Sequence, residues 1–437
     1  MKSSRIRTLA SAFRPASPLL ALAITLAACT FHAAAAEVVA PPAPTIVPRP
    51  HAEAAKVREF AQLATTVPLA GAKPDAAALQ KVRAVIARVN DATLRADLEK
   101  LLPQWEQAAV RHARDRALLP EIKRLGGKAL VEVVAPEWLR AIAGDEHLAA
   151  FGRIVELELN ERTDGHKAAE PKALADRVTD DWLARLAEQV DLRRLELSGT
   201  AITSAGLVHL RRLTNLERLN ICLTAVDDRG FEHFAGMTKM RRMTICASKI
   251  TGTGFAHLGG MKQLESINLH SAPASDEGLA AIGKLTSLRR LEIVHTHVTD
   301  AGLRHLAGLV NLQQLHVHGP KTTEAAFPFL GQLQELYQLD IYDHAGGNQT
   351  LEQIAKLPKL RLLMLSGSPC DDAGLRHLAN VTTLEELSVD SAKITDAAIE
   401  SLAGLKSLRK LQLNRTRITP AGRARIKALL PQVELAP

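Results

Sequence analysis

Six residues of this 437-residue chain combine the side chains and the spacing of a binding site: His270, Glu292, His316, His318, Asp340 and Tyr342. His316 and His318 stand two residues apart, and on an extended strand such residues share a face. Glu292 and Asp340 lie one interval of 24 residues before and after His316, and Tyr342 lies the same interval after His318. Imidazoles and carboxylates so spaced could hold a zinc-like ion, with His316, His318, Asp340 and Glu292 as candidate ligands. The spacing matches no known ligand motif, and the plainer reading is a polar patch that hydrogen-bonds a protein. His295, His297 and His344 fall in the same stretch, and His344 holds a turn position suited to bonding loop backbone.

The interval of 24 is the organising fact of the chain. From Leu192 it recurs ten times without an insertion, the first position running from Leu192 through Leu408. Leu, Ile or Met holds the fourth position from Leu195 to Leu411, and Leu, Ile or Val the sixth from Leu197 to Leu413. One copy, residues 288–311, shows what this means. Leu288, Leu291 and Ile293 alternate as a short strand facing inward. Thr299-Asp300 can cap a short helix whose inner face is Leu303, Leu306 and Leu309. No single copy buries that face alone, so neighbours must stack and their strands must form one parallel sheet. The fold class is therefore α/β, an arc of strand, turn and short helix.

The Thr299-Asp300-Ala301-Gly302-Leu303 segment, set in this register, resembles the leucine-rich repeat family, in the form found in many exported bacterial proteins. The resemblance covers residues 154–437. It implies a solenoid with strands on its concave side and a role in binding proteins. One departure stands out: the ninth position, often Asn or Cys in the family, is mainly Thr or Ser here, as at Thr200, Thr224, Ser248, Thr296, Ser368 and Thr416.

Odd strand positions should form columns on the concave face, with neighbouring strands about 4.8 Å apart. The third column runs Arg194, Arg218, Arg242, Ser266, Arg290, and the fifth runs Glu196, Asn220, Thr244, Asn268, Glu292, which predicts ladders of surface ion pairs. A second histidine set, His209, His233, His257, His305 and His377, repeats at the eighteenth position and reads as structural. His318-Gly319-Pro320 and Ala345 to Asn348 interrupt the turn before the helix in repeats six and seven. Both tyrosines, Tyr337 and Tyr342, fall in repeat seven, so the binding hot spot is expected between repeats four and seven. Cys222 and Cys246 take the seventh position of adjacent repeats, facing outward as free thiols, and Cys370 an apolar position, buried and free.

Residues 1–36 read as a leader. Lys2, Arg5, Arg7 and Arg14 precede the apolar run Leu19 to Ala28, and no acidic residue occurs before Glu37. That run is a secretory signal too short to span a membrane permanently. Leu26-Ala27-Ala28-Cys29 resembles a bacterial lipobox that would lipidate Cys29, and Ala34-Ala35-Ala36 offers the alternative cleavage before Glu37. The protein is accordingly expected to be exported, as a membrane-anchored envelope lipoprotein or as a periplasmic or secreted protein. Residues 37–51 form a Pro/Ala-rich tether, 52–119 a helical segment, 120–153 an N-terminal cap, and 154–437 the repeats.

Formal net charge is +8 and falls to +4 without the four leader bases. No basic run interleaves with aromatics, which argues against nucleic acid as a partner. No phosphate-binding glycine loop or nucleophile elbow occurs, so no catalytic residue and no cofactor are assigned. The expected function is a monomeric, non-enzymatic scaffold whose concave face binds a protein partner. The competing readings are a metal-dependent enzyme or metal-binding protein built on the His/Asp/Glu cluster, and an F-box-like effector adaptor.

Overall fold

The computed structural model describes residues 51–70, 73–159, 177–343 and 346–436. The leader with Cys29, the tether up to residue 50, residues 160–176 and His344 lie outside the described residues.

The N-terminal segment is helical: α1 (Ala54–Thr66), α2 (Ala76–Ala87) and α3 (Ala92–Arg124), joined by the small hairpin β1 (Leu69–Ala70) and β2 (Lys73–Pro74). Asp75 and Asp91 cap α2 and α3 through hydrogen bonds from Ala78 N–H and Leu94 N–H at 2.7 and 2.9 Å. Buried Trp105 anchors this segment, packing near Phe60 and donating its indole N–H to the Phe60 carbonyl at 2.7 Å. Helix α3 runs past residue 119, and its last turns carry Leu118 and Ile122 into the core of the repeats. One long helix therefore belongs to both apolar cores.

The repeats build a sheet of 13 strands in sequence order. It opens with β3 (Lys128–Val133) and β4 (Gly152–Glu158), which pair antiparallel. Parallel strands follow: β5 (Arg194–Glu196), β6 (Arg218–Asn220), β7 (Arg242–Thr244), β8 (Ser266–Asn268), β9 (Arg290–Ile293), β10 (Gln314–His318) and β11 (Gln338–Tyr342). The series ends with β12 (Leu362–Ser366), β13 (Glu386–Asp390), β14 (Lys410–Asn414) and β15 (Glu434–Ala436). Each residue faces its counterpart 24 positions on, as Leu291 faces Leu315 and Leu315 faces Leu339. Leu288, Leu291, Ile293, Leu303, Leu306 and Leu309 are fully buried, so the inward set is as the register predicts.

Three features differ from sequence expectation. Several repeat helices are 3₁₀ rather than α, including Gly206–Leu210, Asp228–Phe234 and Thr253–Gly260, whereas Asp276–Ile282 is α-helical. The tighter winding suits segments too short to gain from α-helical propagation. The turns of repeats six and seven do not cost them their helices: Glu324–Gln332 and Asn348–Ile354 form, the first capped by Thr323. The eighth position of most repeats adopts the left-handed conformation, with φ of 55° at Leu223 and His295 and 74° at Gly199. That conformation costs a non-glycine residue about 1–2 kcal/mol. The ladder holds it, because the N–H of Leu223 donates to Cys246 C=O and that of Ser271 to Val294 C=O, both at 2.8 Å.

The Thr-Asp pair does more than cap. Thr299 caps its own helix by accepting from Ala301 N–H. Asp276, one repeat earlier, accepts from both the backbone N–H and the hydroxyl of Thr299, at 2.8 and 2.6 Å. The same bracket joins Asp300 to Thr323, Asp372 to Thr395 and Asp396 to Thr419. Gly302 is small for a matching reason, since a Cβ there would collide with the Asp276 carboxylate. Hydrogen bonds to a charged acceptor contribute about 1.5–3 kcal/mol each. The motif is thus a polar seam between repeats that runs outside the leucine core.

Candidate functional site

Strands β9, β10 and β11 set the centre of the site. Their register places His316 directly between Glu292 and Asp340, and His318 beside Tyr342. Glu292 in turn lies beside Asn268 on β8. His270 stands two residues beyond the end of β8, in the turn rather than on the strand. All six sequence-derived residues therefore come together on the concave side of four neighbouring repeats.

The carboxylates are not on an open surface. Glu292 is 4% exposed and Asp340 2%, which corrects the expectation that the fifth column projects into solvent. The cause is the crowd of long polar neighbours. Gln338 donates to Asp340 Oδ2 at 3.0 Å, Gln314 donates to Gln338 at 3.1 Å and to the Tyr337 hydroxyl, and Asn268 donates to Glu292 Oε2 at 2.6 Å. Glu292 Oε1 and Asp340 Oδ1 are buried without a hydrogen-bond partner. Loss of water, reinforced by Asp340 and opposed by Arg290, pushes the Glu292 carboxyl up to about 8. Burial pushes Asp340 up to about 7 against the stabilising Gln338 bond.

His316 Nδ1 lies 3.2 Å from Asp340 Oδ2, yet burial and the Arg290 charge lower its pKa to about 4. Both partners are driven toward neutral forms, so the contact at neutral pH is a close approach of weakly charged groups more than an ion pair. Burial also raises the Tyr342 phenol, whose hydroxyl meets only the Met364 sulfur at 4.0 Å.

Beside this network runs a stack of imidazoles. His270 meets His295 edge-on with centroids 5.3 Å apart, and His295 meets His318 at 4.1 Å. His318 Nε2 reaches Asp343 at 3.2 Å while its Nδ1 is buried without a partner. Burial first, and His318 and His270 next, lower His295 to about 4. His295 enters the stack because its left-handed backbone turns the side chain back over the strand ends, which periodicity alone does not reveal. Sequence reasoning also missed Asn268, Gln314, Gln338 and Asp343; their column positions beside the six named residues were the available signal.

The metal reading finds no geometric basis, since among the described residues no three His, Cys, Asp or Glu side chains converge as ligands. His316 and His318 instead pair separately with Asp340 and Asp343. The ion-pair ladder gathers at Arg194, which approaches Glu156, Glu158 and Glu196 at 3.7, 3.4 and 3.2 Å. Cys222, Cys246 and Cys370 are free thiols. Cys222, expected to face outward, is only 7% exposed. Among the described residues no helix is long and apolar enough to cross a membrane.

A family model described as a leucine-rich repeat region matches residues 176–428. Among solved structures the chain is similar to an internalin from Listeria monocytogenes, with 19% identity over 68% of this chain and 90% of that one and a TM-score of 0.49. A second internalin from that organism shares 23% identity over 48% and 84% of the two chains, with a TM-score of 0.37. A Leptospira interrogans leucine-rich repeat protein shares 17% over 58% and 74%, with a TM-score of 0.41. No curated protein matches the sequence.

Proposed function

Because the chain belongs to the leucine-rich repeat family, whose members are generally non-enzymatic binding scaffolds, we propose that it binds a partner protein through the concave face of β8 to β11. One observation carries this reading. Imidazoles, both tyrosines and two buried carboxyls with unpartnered oxygens concentrate on that face. Buried polar groups without partners are uncommon in a settled fold and mark places kept for something other than stability. A concave sheet meets a partner through several strands at once without changing shape. His270, His316, His318 and Tyr342 supply the contact, while Asp340 lies against His316.

A photoreactive benzoylphenylalanine placed at position 316 should cross-link a partner in living cells. The same probe at Arg218, near the N-terminal end of the face, or at His257 on the outer side should not. Adducts from position 257 or 218 with none from 316 would move the site elsewhere.

The leader extends the proposal to the cell envelope, with the Cys29 thiol as a lipid attachment point. Membrane fractionation checks this: the protein should sediment with membranes and Cys29→Ala should release it. A mature chain beginning at Glu37 would replace anchorage with free export.

A further inference from the structure

We propose that Cys222 and Cys246 form a two-coordinate site for a soft monovalent cation of the copper(I) type. The two residues hold the same position in adjacent repeats, just beyond β6 and β7, where the ladder continues in register. Neighbouring parallel strands lie about 4.8 Å apart, so equal positions present their side chains at about that separation. At the zinc–thiolate bond length of about 2.3 Å, a cation held in line between two sulfurs spans about 4.6 Å, close to that separation. A disulfide instead wants Cβ atoms about 3.8 Å apart and a dihedral near a right angle, which side chains rising in parallel from one sheet do not offer. The spacing thus favours a bridging ion over an S–S bond.

One backbone donor is aimed at the site. The backbone N–H of Cys246 points at Cys222 Sγ at 2.9 Å, a donor able to steady negative charge on that sulfur. Asn268 Oδ1 takes the Cys246 thiol at 3.5 Å, which orients that side chain before any ion arrives, and Asn220 Oδ1 takes the Cys222 backbone N–H at 2.9 Å. Cys246 is half-buried and gives access, whereas Cys222 is shielded from water. His270 continues the same column one repeat further, but the three groups do not close into a three-ligand set, which leaves the pair as the binding unit. Both thiols must shed their protons to bind a soft cation. Binding therefore exchanges protons for the ion: two S–H bonds break, two S–Cu bonds form, two protons leave, and no oxidation state changes. Thiolate softness selects copper(I) over harder ions.

The test uses the reduced full-length chain without oxygen, with copper(I) presented as its coloured bicinchoninate complex. The chain should withdraw one copper and release protons as it does so. Phenylarsine oxide, which bridges paired thiols, should block uptake. Cys246→Ser and Cys222→Ala should each weaken retention by about tenfold or more, and Cys370→Ala should leave it unchanged. Circular dichroism identifies a variant that fails to fold; Cys246→Ser, at the more accessible position, then carries the result. Uptake unchanged in the Cys222→Ala/Cys246→Ala double variant would overturn the proposal. So would a chain that takes no copper from the probe, or a pair that closes into a disulfide in preference to holding the ion.

Discussion

Phe231→Ala is expected to destabilise the arc by about 3–5 kcal/mol, seen as a lower urea midpoint at nearly unchanged slope. Phe231 is fully buried, with its ring edge-on to Phe234 at 5.4 Å and to Phe255 at 5.0 Å. Phe255 belongs to the next repeat, so the ring straddles the boundary between two stacked units. Truncation removes packing from both at once. In a solenoid, such a boundary is where cohesion resides, because a repeat touches only its neighbours. Phe231→Leu keeps most of the volume and should cost roughly 1 kcal/mol. A midpoint for Phe231→Ala indistinguishable from the parent would mean that neighbouring repeats collapse freely into the space, against the packing described.

Glu292→Gln is expected to make the protein more stable above neutrality, by about 1–2 kcal/mol at pH 8.5. The sign follows from proton counting. Glu292 titrates near 8 when folded and near the ordinary carboxylate value of 4.5 when unfolded. Between these values the folded chain binds more protons than the unfolded one, so this contribution to stability is complete below pH 4.5 and lost as pH rises through 8. Asp340 acts in the same direction up to about 7. His316 and His295, both near 4 when folded against an ordinary 6.5, act oppositely: their contribution is lost as pH falls from 6.5 toward 4. Above pH 6.5 only the carboxyls speak, and stability should decline. Gln resembles the protonated acid and can still accept from Asn268. Unfolding curves at pH 6.5 and 8.5 should therefore draw together in the variant. Parallel behaviour of parent and variant over that range would show that Glu292 is ionised in the fold and that its surroundings are wetter than described.

The arc was legible because its signal repeats. Each inward leucine is one of ten at the same register, and burial is the only demand placed on it. The candidate site was legible as a set of columns, which placed His316 between Glu292 and Asp340. Depth was not legible. Whether an odd-numbered side chain meets water depends on what its lateral neighbours spread over it, and Gln314 and Gln338 act across strands that lie 24 residues apart in sequence. His295 was legible only as a neighbour in the same stretch: its place in the stack follows from a left-handed backbone angle, which the repeat imposes without requiring glycine. The Asp-Thr seam escaped because capping is a local explanation that accounts for both residue types before any neighbour is considered.

That seam gives the chain a direction and a unit of exchange. Each aspartate reaches only forward, to the threonine one copy on. The position facing it in the receiving copy is small: Gly302 against Asp276 and Gly422 against Asp396, with Ala326 and Ala398 at the same register after Asp300 and Asp372. Where successive junctions carry the pair, as at Asp276–Thr299 and Asp300–Thr323, a segment cut there and rejoined one full period later brings a forward-reaching Asp to a waiting Thr. Duplication or deletion of a whole period at those junctions creates no unmatched pair, whereas a change of any other length breaks the seam. Length can drift by whole copies under gene rearrangement while the fold is kept, and arcs of different reach become accessible in single genetic steps.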